Sequence, residues 1–192
     1  METAAAYEEP RLTTYGFQTV SGLSLIQIDL TPEALPRLSA CLLDPNRPAA
    51  TFELALLQPG PPERLRLSLV CRPPGDARVK ALVADMLPSA PGVRMQGQLP
   101  VEMICFQGPH FGDRSGIALA GLRALRRGNV PVVVAGCAGS VINLVLPTGQ
   151  AGSALSLLKR SFQIPRRERP GRTAGPNDAQ PAGGKGLAHP RL

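Results

Sequence analysis

A chain of 192 residues with 43% hydrophobic content can bury one core of moderate size or two small cores that share a face. No stretch approaches the roughly 18 uninterrupted apolar residues of a membrane span. The opening METAAAYEEP carries an acidic pair where a secretory signal has a basic region and then an apolar one, so the expected location is cytoplasmic, with no membrane contact.

The net charge of +7 is unevenly placed: Arg166 to Leu192 holds six Lys or Arg and two acids, or +4, which leaves +3 for the rest. That tail is rich in Pro, Gly and Ala and has almost nothing large and apolar to bury, the composition of a disordered basic segment. No aromatic residues accompany its charges, so specific nucleic-acid recognition is not expected, and only a salt-dependent contact is readily explained. Cys41, Cys71, Cys105 and Cys137 lie about thirty residues apart, with no CxxC pair. They are expected to be buried, reduced thiols, neither metal ligands nor a disulfide framework.

Taken in chain order, residues 1–20 form an N-terminal segment. Leu23 to Asp29 (LSLIQID) is a short strand, and Pro32 to Leu43 places Leu35, Leu38, Leu42 and Leu43 at helical spacing, with Thr31 as cap and Pro32 as first helical residue. Thr51 to Leu57 and Arg64 to Cys71 alternate apolar and polar side chains around the turn QPGPPE, which predicts a hairpin. Asp76 to Leu87 is a second helix, stopped by PSAPG, after which Val93 to Leu99 returns as a strand.

The order then repeats: strand Val101 to Gln107, helix Gly116 to Arg127, strands Val130 to Ala135 and Ser140 to Leu146, helix Gly149 to Phe162, and a closing FQIP run. Strand, helix, strand, strand, helix, strand is the ferredoxin-like arrangement, in which an antiparallel sheet buries one face under two helices. The expected fold class is therefore α+β, with tandem βαββαβ units at 21–99 and 100–165 and a tail at 166–192.

The segment GPHFGDRSGIALAGLRALRRGNVPVVVAGCAGSVINLVLPTGQAGSALSLLKRSF resembles the ACT domain at the C-terminus of aspartokinases. The matching features are a Gly-containing loop after the first strand, a helix that opens with Gly116, Ile117 and Ala118, and the strand Ser140, Val141, Ile142, Asn143, Leu144. The resemblance covers about sixty residues, and 21–99 is similar in element order only. It implies an amino-acid-binding regulatory pair of the lysine or threonine class, a homodimer, and a separate kinase or other enzyme as partner. The Lys-Phe-Gly-Gly-Thr nucleotide motif of the kinase domain is absent from this sequence. In the first half LTPE replaces the Gly-containing loop, and Pro131 stands where the family often has Asn.

The ligand-binding residues this implies are Gly108, His110, Phe111, Gly112, Asp113, Arg114, Ser115, Gly116 and Ile117, together with Ser140, Val141, Ile142 and Asn143. The residues themselves offer a rationale. A helix N-terminus presents unpaired N–H groups and a partial positive charge worth about 0.3–1 kcal/mol to a carboxylate. Glycines admit close backbone approach. Asp113 either takes an α-ammonium or caps the helix, and Arg114 either meets a carboxylate or faces solvent. A lone His110 has no nucleophile or second acid to work with and reads as a polar lining residue. No catalytic, metal or cofactor motif stands out. The alternative function is a protein-interaction module that docks a partner through its sheet or helix face without binding a metabolite.

Overall fold

The computed structural model describes residues 12–42, 51–60, 62–86 and 92–164. The expected disordered tail lies outside these residues, as do the predicted helix ends Leu43 and Leu87. In chain order the elements are β1 (Leu12–Thr13), β2 (Gly16–Leu30), α1 (Leu35–Leu42, entered through a 3-10 turn at Pro32–Ala34), β3 (Phe52–Pro59), β4 (Leu65–Cys71) and α2 (Gly75–Met86). They continue as β5 (Val93–Gln107), α3 (Ile117–Arg127), β6 (Val134–Ala138), β7 (Val141–Pro147), α4 (Ala151–Ser161) and β8 (Phe162–Gln163). No described helix is long and apolar enough to cross a membrane.

The expected α+β fold is present, and its two halves share a single sheet. One six-stranded sheet runs β3-β4-β2-β5-β7-β6 with every neighbour antiparallel. β2 and β5, of 15 residues each, pair along nearly their whole length and belong to both halves. The C-terminal part of β2 joins β4, whereas the C-terminal part of β5 joins β7. The expected break between Leu99 and Val101 is therefore the middle of one strand. Pro100 is tolerated there because β7 begins pairing only at Val101, so β5 has β2 alone as neighbour at that point.

The fourth strand of the second unit comes from the N-terminus. Gly16–Val20, read from sequence as part of a leading segment, pairs with Met103–Gln107. The closing FQIP run instead supplies β8, which pairs in parallel with β1 in a separate two-stranded sheet. β6 also starts later than expected. Residues 128–130 close α3 in a Schellman turn, with Val130 N–H donating to the Leu125 carbonyl and Asn129 N–H, at φ 54°, donating to that of Arg126.

Three apolar clusters result. Ile26, Ile28, Leu30, Leu69 and Cys71 meet Leu38 of α1 and Val79 and Val83 of α2. Ile104, Phe106, Ile142, Leu144 and Leu146 meet Leu125 of α3 and Ala154 and Leu158 of α4. The third lies on the reverse face, where Leu23, Leu25, Val70, Val101, Met103, Val134 and Val145 pack with Leu54 and Leu56. β3 and β6 are the two ends of the strand order, yet a Cβ on Gly136 would lie 3.6 Å from Leu56. The sheet thus folds over its own reverse face. A bulge at Ser21–Gly22, opposite Glu102, supplies bending, with Gly22 at φ 70°.

Candidate functional site

β5 ends at Gln107, and nine residues separate it from α3. The pairing Gln107↔Val141 puts this loop level with the turn at Gly139–Ser140. Gly108 is buried where the loop leaves the sheet, and a Cβ there would run into the Thr13 carbonyl oxygen and the Phe111 ring. Turn hydrogen bonds then fold the loop back: the His110 carbonyl accepts from Arg114 N–H at 2.8 Å and from Asp113 N–H at 3.3 Å. His110 has φ 63°, and its Nδ1 lies 3.4 Å from Asp113 Oδ2, with both side chains largely exposed.

The expected site residues are not all brought together. His110, Gly112, Asp113, Ser115, Gly116 and Ser140 are exposed and Arg114 is half-buried. Phe111, Ile117 and Ile142 point into the second-unit core. Phe111 stands edge-on to Phe106, 5.8 Å between centroids, and 6.3 Å from Phe162, so its ring anchors the loop. Val141 is half-buried. Asn143 lies in the row Gln18–Cys105–Asn143–Gly136, on the face that carries Val145 and away from α3. The register brings Ser140 and Val141 to the loop but leaves Asn143 on the other side of the sheet.

Electrostatics separate the two helix N-termini of this unit. Glu102 Oε2 accepts hydrogen bonds from the N–H groups of Gly149, at 3.0 Å, and Ala151, at 2.9 Å, so a carboxylate of the chain already occupies the start of α4. α3 begins after Gly116, at φ 84°, with no side-chain cap. A helix N-terminus of this kind favours a carboxylate, the interaction that Glu102 supplies to α4.

Sequence reasoning missed the N-terminal contribution. Tyr15, Gly16, Phe17 and Gln18 line a shallow groove of about 410 Å³ with Cys105, Phe106 and Gln107, beside the base of the loop. Thr14 is fully buried; its hydroxyl donates to the Gln107 carbonyl at 2.7 Å and its N–H to that of Gln163 at 2.8 Å. The alternation in GFQTV was the available signal. The cysteines are free, but Cys137 is exposed and Cys41 and Cys105 are half-buried, so only Cys71 is fully buried as expected. Burial pushes the Cys71 thiol up, aided by Asp76, and burial alone does so for Cys105. Among the described residues no cluster of His, Cys, Asp or Glu could hold a metal ion.

The fold is that of the ACT-type regulatory region of aspartate kinases. It superimposes on the ligand-free regulatory subunit of aspartate kinase from Thermus thermophilus with TM-score 0.65 and 11% identity, over 79% of this chain and 99% of that one. The Thermus flavus regulatory subunit gives 0.66 and 11%, over 78% and 98%. The full aspartate kinase from Synechocystis gives 0.66 and 14%, over 83% of this chain and 28% of the kinase. No protein-family model matches the sequence, and no curated protein matches it.

Proposed function

We propose that the chain is a regulatory ACT pair, not a catalyst, that binds a small amino acid at the loop 108–117 and passes its presence to a partner enzyme in the cytoplasm. The observation that carries this reading is the opening of α3 at Gly116, which brings no side-chain cap of its own, beside an exposed loop in a unit whose other helix is capped by Glu102. The α-carboxylate sits on the N–H groups after Gly116, and Asp113 takes the α-ammonium, with Ser140 and Val141 adjoining. The resemblance of the segment 108–162 to aspartokinase ACT domains suggests the lysine or threonine class of effector.

A homodimer belongs to the same reading. Gly16–Val20 pairs only with β5, and Val93–Leu99 only with β2, so each unit carries a sheet edge without a partner among the described residues. Met95 and Leu99 are exposed along one of them. Such edges are rarely left uncovered, and a second copy offers the complementary strand. An effector that favours one packing needs a coupling of only about 1–3 kcal/mol to regulate.

A thermal-shift screen against the twenty amino acids, lysine and threonine first, tests the reading. A ligand at 100 times its Kd adds about 2.7 kcal/mol to the native state. A selective rise is expected, lost in Asp113→Asn and Gly116→Ala. No response to any amino acid would remove the effector, leaving the partner-docking module.

A further inference from the structure

Three arginines of the first unit are held by acceptors, unlike the cations of α3 and α4. In the first, Arg66 is paired with Asp29 at 2.7 Å, Arg72 with Glu53 at 2.6 Å, and Arg64 donates to the Gly92 carbonyl. In the second, Arg123, Arg126 and Arg127 of α3 and Lys159 and Arg160 of α4 are all exposed. Neither helix contains an acidic residue. Among the described residues none of these five side chains has an ion-pair or hydrogen-bond partner.

Four of the five occupy the last turns of their helices, where each gains about 0.3–1 kcal/mol from the helix dipole. That accounts for their position, but not for Arg123, which precedes the last turn, nor for the absence of an acid from either helix. The two sets are neighbours in space. Gly128, next to Arg127, packs so closely on Leu157 that a Cβ would collide with it, and Leu157 is two residues from Lys159.

A groove adjoins the patch. The Schellman turn swings the chain away from α3 and leaves a recess of about 490 Å³ lined by Leu122, Arg126, Asn129, Val130, Pro131 and Val132. Its walls are mainly aliphatic, Arg126 stands within it, and Arg123 and Arg127 flank Arg126 along the helix. Arginine pairs with carboxylates through a planar fork, and an aliphatic recess accepts a leucine-sized side chain.

We propose that this groove and its cationic surround are a docking surface for an acidic segment of a partner protein, with an aliphatic anchor side chain flanked by carboxylates. A nucleic acid fits less well, because the groove has no aromatic face on which a base could stack. The proposal rests on the charge and shape of α3 and α4 and stands whether or not the loop binds an amino acid.

Fluorescence anisotropy on the full chain tests it, with four labelled probes: a short glutamate–leucine peptide, an all-glutamate peptide of equal charge, a lysine–leucine peptide, and a DNA duplex of equal charge. The glutamate–leucine peptide should bind best, weaken as salt rises, and lose about tenfold or more in affinity in the variant R123Q/R126Q/R127Q. Neutralising the Lys and Arg of 166–192 to Gln should leave that affinity unchanged. Three results would overturn the proposal. Binding lost with the tail variant would locate it in the tail; equal binding of the all-glutamate or lysine–leucine peptide would remove the anchored acidic recognition; DNA binding as tightly, and lost with the same three arginines, would make the face a nucleic-acid surface.

Discussion

The strand-to-helix connections of the two units occupy the same place in the same topology and are built in opposite ways. In the first, β2 passes to its 3-10 turn through Thr31 alone: the Thr31 N–H donates to the Gly92 carbonyl at 3.0 Å, and Pro32 fixes the first helical position. Nothing is left to open. In the second, nine residues lie between Gln107 and Ile117, anchored by Phe111 and Gly108 and folded back by turn hydrogen bonds to the His110 carbonyl. The lesson is that one fold can keep one connection as a structural corner and extend the other into a longer, exposed loop, because the helix faces beneath, and not the connections, hold the sheet.

The largest expected effect tests whether the halves are one body. Phe106→Ala removes the ring at the centre of the second core and should destabilise by about 3–5 kcal/mol. Because β2 and β5 serve both halves, chemical denaturation should remain a single transition. Two separate transitions would break the comparison by making the units independent.

Next is the first unit's pair of a buried Asp29 with a half-buried Arg66. Asp29, 1% exposed, is held by Arg66 and, at 2.7 Å, by Gln96, the extra residue of a bulge in β5. The Arg66 hydrogen bond holds the Asp29 carboxyl below its ordinary value against the upward push of burial. Its unfolded value is about 3.9, so the pair's contribution is complete above that pH and is lost as pH falls through the lower folded value. Because Arg66 is partly solvated and Gln96 remains on Asp29, Arg66→Ala should cost about 1–2 kcal/mol and move acid unfolding to higher pH. An unchanged acid midpoint would show that the pair does not set acid stability.

A smaller effect is expected at the second unit's loop. Gly108→Ala drives a methyl into the Thr13 carbonyl and should destabilise by about 1–3 kcal/mol. Hydrogen exchange at the Thr14 and Tyr15 amides should rise while β4 stays protected; equal loosening of both units would deny the loop its local anchorage.

The smallest perturbation is thiol labelling of the native protein. Cys137 should react first, and Cys71, whose thiol burial pushes up, only on unfolding. Early labelling of Cys71 would place the opening in the first unit rather than the second.

Much of the architecture was legible in the chain because periodicity reports local burial. The alternation in RLRLSLVC predicts β4 closely, with Leu65, Leu67, Leu69 and Cys71 on the helix face. The spacing of Val79, Leu82 and Val83 marks the buried side of α2. The loop and its helix opening at Gly116 were equally readable, since φ 84° suits glycine and a helix must begin where such a loop ends.

What sequence left open depends on contacts between distant residues. Pro100 reads locally as a break, and only β2 alongside it lets β5 continue through. Gly16–Val20 has no local reason to prefer the second unit over the first; pairing with Met103–Gln107 makes that choice and sends FQIP elsewhere. The burial of the reverse face behind Leu54 and Leu56, and the arrival of Arg126 beside an aliphatic groove, likewise arise from the folding of the whole sheet. By itself the sequence determined which segments become strands and helices, because side-chain alternation and spacing are local properties. Tertiary structure decided which unit each long strand completes and which charges stay unpaired, because hydrogen-bond partners and counterions come from remote parts of the chain.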